Sequence, residues 1–142
     1  MVPTSWHGGV ARSHSSFMAA WAKPYHGVTD PLVTETLAIR DGVIFAKLRG
    51  FPKLVMETDS LEIVNLWNTE QNNRSVVAPI LLEIRELASV FMSFCIQHVS
   101  RAANQIAHLC AKSACTLSET SSWMNSPPDF LVASLLADDA SV

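Results

Sequence analysis

Asp59 stands where a carboxylate could do chemistry. A short apolar run, Leu54-Val55-Met56, ends in Glu57-Thr58-Asp59-Ser60 and passes at once into the helical spacing of Leu61, Ile63, Val64, Leu66 and Trp67. That pattern predicts a strand delivering Asp59 to the C-terminal edge of a sheet, where open α/β folds place their sites. An aspartate at such a junction is either part of a site or a cap for the next helix, and Ser60 is suited to capping as well.

Other groups carry chemistry with a plainer reading beside it. Arg101 could contact a phosphate or stand solvated. Asn104 could hydrogen-bond a substrate or cap the helix it begins. His108 lies on an otherwise apolar helical stretch, as a packed histidine or as a proton-transfer group near neutral pH. Trp67 and Trp123 could stack bases, although Trp67 falls at core spacing. Lys47, Arg49 and Lys53 form a modest basic cluster that reads as a solvated face.

The elements that must position these groups follow from pattern and punctuation. Trp6 to Ser13 and Phe17 to Lys23 predict a β-hairpin, and Pro24 to Pro31 a loop. Pro31 suits a first helical turn, the apolar positions from Leu32 to Leu48 give the helix a face, and Gly50 ends it. A strand at Lys53 to Thr58 and a helix from Leu61 follow. Thr69 to Ser75 reads as loop, Pro79 opens another helix, Phe91 to Val99 reads as a strand and Asn104 to Ala114 as a helix. After Leu117 the chain turns polar, breaks at Pro127-Pro128, and resumes as a small apolar tail from Phe130 to Leu136. The expected organisation is an α/β domain over residues 1–117, a mixed sheet flanked by helices, and a docking tail over residues 118–142.

Composition narrows the function classes. The chain has 142 residues, 49% hydrophobic and 16% charged, which suits one domain with a sizeable core. A formal net charge of −3 argues against an indiscriminate nucleic-acid binder, though not against a local basic patch. Cys95, Cys110 and Cys115 lack C-x-x-C spacing and read as buried, reduced thiols of an intracellular protein, cytoplasmic or nuclear. No apolar run suits a membrane span, and the N-terminus lacks the pattern of a secretory signal.

Three ordered segments carry a family resemblance. They are Thr34-Glu35-Thr36-Leu37-Ala38-Ile39-Arg40-Asp41-Gly42, Glu57-Thr58-Asp59-Ser60, and the stretch from His98-Val99-Ser100-Arg101 through Asn104 and His108 to Lys112. Together they resemble the plant ribonuclease H-like domain, a reverse-transcriptase-associated branch of the ribonuclease H superfamily, from about Trp6 to Ala114. The tail from Trp123 to Asp139 is also similar to one found after that domain. The resemblance implies an endonuclease that hydrolyses the RNA strand of an RNA–DNA hybrid, using Mg²⁺ or Mn²⁺ held by clustered carboxylates. It puts Glu35 and Asp59 at metal-ligand positions, and His108 where the family has a catalytic aspartate. Glu35 could otherwise be only a favourable acid in a first helical turn.

Two departures qualify the expectation. No acidic residue precedes Asp30, so the family's first aspartate and its central opening strand are missing, which suggests a truncated start. Imidazole also prefers softer metals than Mg²⁺. A catalytically inactive binding or scaffold module that keeps the fold is therefore the alternative.

Overall fold

The structure, a computed structural model, describes residues 4–13, 16–69, 74–102, 105 and 121–124. Contacts divide the chain into two units, Met1–Thr29 with Ala102–Val142, and Asp30–Arg101.

The first unit is built on the expected hairpin. Strands β1 (Thr4–Ser13) and β2 (Ser16–His26) pair antiparallel, with a register shift between Ala11 and Arg12 that marks a bulge. The strand continues through Pro24, where the sequence suggested a loop. Proline removes a donor and is tolerated where only one side of a strand is paired. Pro24 lies opposite Trp6 in β1, whereas the neighbour on the other side reaches only Ala19 to Ala22. That neighbour is β5 (Ser121–Met124), a short strand in a segment whose polar residues gave no strand signal. β1, β2 and β5 form one antiparallel sheet in the order β1-β2-β5. The predicted helix from Asn104 to Ala114 and the apolar tail lie outside the described residues, apart from Gln105.

The second unit alternates helices and strands. Helix α1 (Pro31–Leu48) starts where proline predicts, with the Asp30 carboxylate accepting from the Leu32 N–H at 2.8 Å. Its end follows from Gly50 at φ 73°. The Gly50 N–H reaches the Lys47 carbonyl and the Phe51 N–H reaches the Ala46 carbonyl, a Schellman closure that turns the chain into the next strand. Strand β3 (Lys53–Thr58) has the predicted bounds and pairs in parallel with β4 (Ser93–His98). Between them run α2 (Leu61–Asn68) and α3 (Ala78–Ala88). The expected α/β architecture is present, with antiparallel and parallel pairing in separate sheets among the described residues. Within that set β1 pairs only with β2, and β3 only with β4.

One apolar cluster holds the second unit together. Ile39, Val43 and Ala46 of α1 meet Ile63 of α2, Leu81 and Ile84 of α3, and Ile96 of β4, with Leu54, Met56 and Phe94 packed against them. Ile63 and Ile84 are fully buried, each burial stabilising by about 1.5–3 kcal/mol. This matters most for α2, whose eight residues are too few to hold a helix in water without packing. The outward face of the parallel pair carries Lys53, Val55 and Glu57 beside Ser93, Cys95 and Gln97. Cys95 is consequently an exposed free thiol, not the buried one expected; strand alternation points it away from the cluster. Cys110 and Cys115 lie outside the described residues.

Candidate metal and nucleic-acid site

Parallel pairing decides where the chemistry can gather. β3 and β4 end together, Thr58 opposite His98, and the Val99 N–H donates to the Thr58 carbonyl at 2.9 Å. Residues just beyond each strand, Asp59 and Arg101, therefore emerge at one edge. α1 runs into β3 through the tight turn at Gly50, so its N-terminal half returns toward the same edge. Glu35 lies on that half.

Thr58 ties these pieces together. It is fully buried, on the inward side of β3 with Leu54 and Met56. A buried hydroxyl must find partners. Its Oγ1 donates to Glu35 Oε1 at 2.9 Å and accepts from the Ser60 N–H at 3.1 Å. One hydroxyl thus holds the helix-borne carboxylate against the backbone that presents Asp59. Sequence reading missed Thr58 as a site residue. The available signal was strand alternation, which makes Thr58 the inward-facing residue of Glu57-Thr58-Asp59.

Ser60 caps α2, its Oγ accepting from the Ile63 N–H at 3.3 Å, so capping does not fall to Asp59. Glu35 is not a first-turn acid: that turn contains no acidic residue, and Glu35 follows it. Instead of adding to helix-end electrostatics, its carboxylate is engaged by Thr58. The Asp59 side chain keeps 18% of its exposure, and its Oδ2 lies 3.5 Å from Arg101 Nε. Arg101 is 88% exposed. It faces Asp59 as an ion pair in addition to meeting solvent.

The remaining candidates separate cleanly. The Trp67 ring is engaged in packing: it meets Phe94 edge-on at 5.4 Å and Arg85 lies over its face at 4.1 Å, while Arg85 Nη2 donates to the Trp67 backbone carbonyl. The ring is half-buried between these neighbours, as its core spacing predicts. Lys47, Arg49 and Lys53 are exposed at the opposite end of β3, roughly 20 Å from Asp59 along the strand. Arg49 lies over the Phe45 ring at 5.2 Å. Asn104, His108 and Trp123 contribute no described side chain to this account.

Glu35 and Asp59 supply hard oxygen donors, the type that suits Mg²⁺ or Mn²⁺ with water completing the shell. No group of three or more His, Cys, Asp or Glu able to hold a metal occurs among the described residues. No described helix is long and apolar enough to cross a membrane.

Comparison with solved structures gives the fold. Ribonuclease H1 of the halophilic archaeon Halobacterium salinarum NRC-1 superposes with a TM-score of 0.57 at 20% identity, covering 81% of this chain and 97% of that one. The N-terminal RNase H domain of a Mycobacterium tuberculosis protein, solved fused to maltose binding protein, gives 0.58 at 18% identity, covering 81% and 93%. The fold is thus ribonuclease H-like. The profile of the family described as reverse transcriptase-like matches residues 4–114, and the chain belongs to that family. None of the curated proteins compared with it matches.

Proposed function

We propose that this chain is a ribonuclease H-type endonuclease that binds RNA–DNA hybrids and hydrolyses their RNA strand with a divalent ion held by Glu35 and Asp59. The observation that carries this reading is the Thr58 hydroxyl, which fixes Glu35 beside the backbone presenting Asp59 at the sheet's C-terminal edge. The fold supports it, and two of the structures it resembles are ribonuclease H proteins by name.

In this mechanism Glu35 and Asp59 would hold the ion, Mg²⁺ or Mn²⁺, which would supply activation of a water and compensation of charge on the leaving oxygen. Thr58 holds the Glu35 carboxylate in orientation. Ser60 fixes the start of α2 and so the exit of the chain from Asp59. Arg101 supplies a guanidinium for a backbone phosphate, which matches its planar fork of donors. Asn104 is assigned a second polar contact to the nucleic acid, and His108 the movement of a proton at its imidazole. The working location is intracellular, cytoplasmic or nuclear, a reading supported by three cysteines without C-x-x-C spacing.

The test is cleavage of an end-labelled RNA–DNA hybrid by the purified, folded chain with Mn²⁺, beside Asp59→Asn. Loss of cleavage in the variant supports the reading. Equal cleavage by both proteins removes Asp59, and with it the proposed two-carboxylate site, from the chemistry.

A second reading is favoured by the Arg101–Asp59 pair, which already neutralises one of the two carboxylates. On it, the domain binds hybrids without cutting them. Tight hybrid binding, with no cleavage in Mg²⁺ or Mn²⁺, would distinguish it.

A further inference from the structure

The contact between Arg101 and Asp59 joins two unequal partners. Asp59 is anchored: Thr58 before it is fully buried, and Ser60 after it caps a helix. Arg101 is not comparably held, since its side chain is 88% exposed. Its Nε lies 3.5 Å from Oδ2, well beyond the roughly 2.7–2.9 Å of a tight charged hydrogen bond. The attraction is therefore mainly that of a loose ion pair, and Arg101 can leave without exposing buried surface. Its backbone cannot go far, because Val99, two residues earlier, is hydrogen-bonded to Thr58. The fixed group is the acid and the movable group is the base.

We infer that Arg101 is a built-in competitor for the cation at Asp59: it neutralises the carboxylate in the metal-free protein, yields it to a divalent ion, and then turns its guanidinium to a nucleic-acid phosphate. This inference rests on the proposed metal role of Asp59. A carboxylate facing a guanidinium is a poorer cation ligand, and a guanidinium facing a carboxylate is a poorer phosphate ligand. Occupation of one site therefore favours the other, and the linkage is reciprocal. An exposed ion pair supports a modest effect, about two- to fivefold in affinity, that weakens with salt.

The experiment is calorimetric titration of the full chain with Mn²⁺ alone, for the wild type, Arg101→Gln and Asp59→Asn, with thermal unfolding to show that each is folded. Arg101→Gln is expected to bind Mn²⁺ about two- to fivefold more tightly, the gain shrinking in high salt, while Asp59→Asn binds more weakly than either. A tighter site is the diagnostic, because structural damage would loosen it. On the nucleic-acid side, Arg101→Gln should bind hybrid less tightly in Ca²⁺, with a salt slope smaller by about one. Unchanged or weaker Mn²⁺ affinity in folded Arg101→Gln, with binding still dependent on Asp59, overturns the competition and leaves the metal site standing. No Mn²⁺ binding by any of the three overturns both.

Discussion

The two ends of the β3–β4 pair are built by different physics. At the entry end, backbone geometry closes the structure: Gly50 at positive φ, the Schellman bonds from Gly50 and Phe51, and the Met92 N–H donating to the Pro52 carbonyl at 2.8 Å. At the exit end, side chains make the arrangement: a buried threonine, an aspartate facing an arginine, a serine cap and a glutamate arriving from another element. The entry end can be altered without touching reactive groups. The exit end cannot, since its structural contacts and its candidate ligands are the same residues.

That contrast can be broken most forcefully at Thr58. Thr58→Val keeps the shape and removes the hydroxyl. It leaves the Ser60 N–H without that acceptor and Glu35 without its positioning bond. Hybrid cleavage and Mn²⁺ affinity should fall about tenfold, as for loss of an outer-sphere partner, and stability by about 1 kcal/mol in denaturant titration. Thr58→Ser should recover most of the activity. Unchanged cleavage by Thr58→Val would mean that Glu35 needs no such tether.

Gly50→Ala is the matching change at the other end. Nothing lies within 4 Å of an added Cβ, so the cost is that of a left-handed backbone, about 1–2 kcal/mol. The melting temperature should drop while cleavage per folded molecule stays the same. A loss of activity beyond the loss of folded protein would show that the two ends are coupled.

The smallest effect is expected from replacing Lys47, Arg49 and Lys53 with Gln. These residues lie at the entry end, and hybrid affinity and its salt slope should hardly change, as measured by fluorescence anisotropy at several salt concentrations. A steep loss would extend the binding surface to that end.

Sequence legibility differed between the ends in the same way. The entry end was readable because glycine after a helix and proline near helix starts act through local backbone rules; Gly50, Pro31 and Pro79 all fall as expected. Asp59 and Ser60 were readable for the same reason, as neighbours at a strand-to-helix junction. Thr58 was not, because its partner Glu35 is distant in sequence and only the fold brings them together. The Arg101–Asp59 pair was hidden likewise, by parallel pairing that aligns two strand ends. β5 escaped because Ser121 and Ser122 show no alternation and a short strand is defined by its partner. The roles given to Asn104 and His108 lie outside the described residues.

The central claim is that Glu35 and Asp59 form one site that cuts the hybrid. Its most direct measurement is single-turnover cleavage of a labelled RNA–DNA hybrid in Mn²⁺ by the wild type, Glu35→Gln, Asp59→Asn and the double variant. Residues that act as a unit give non-additive losses. The account predicts that each single substitution slows cleavage at least about a hundredfold, with the double variant little worse than either. Wild-type rates in both single variants would contradict it.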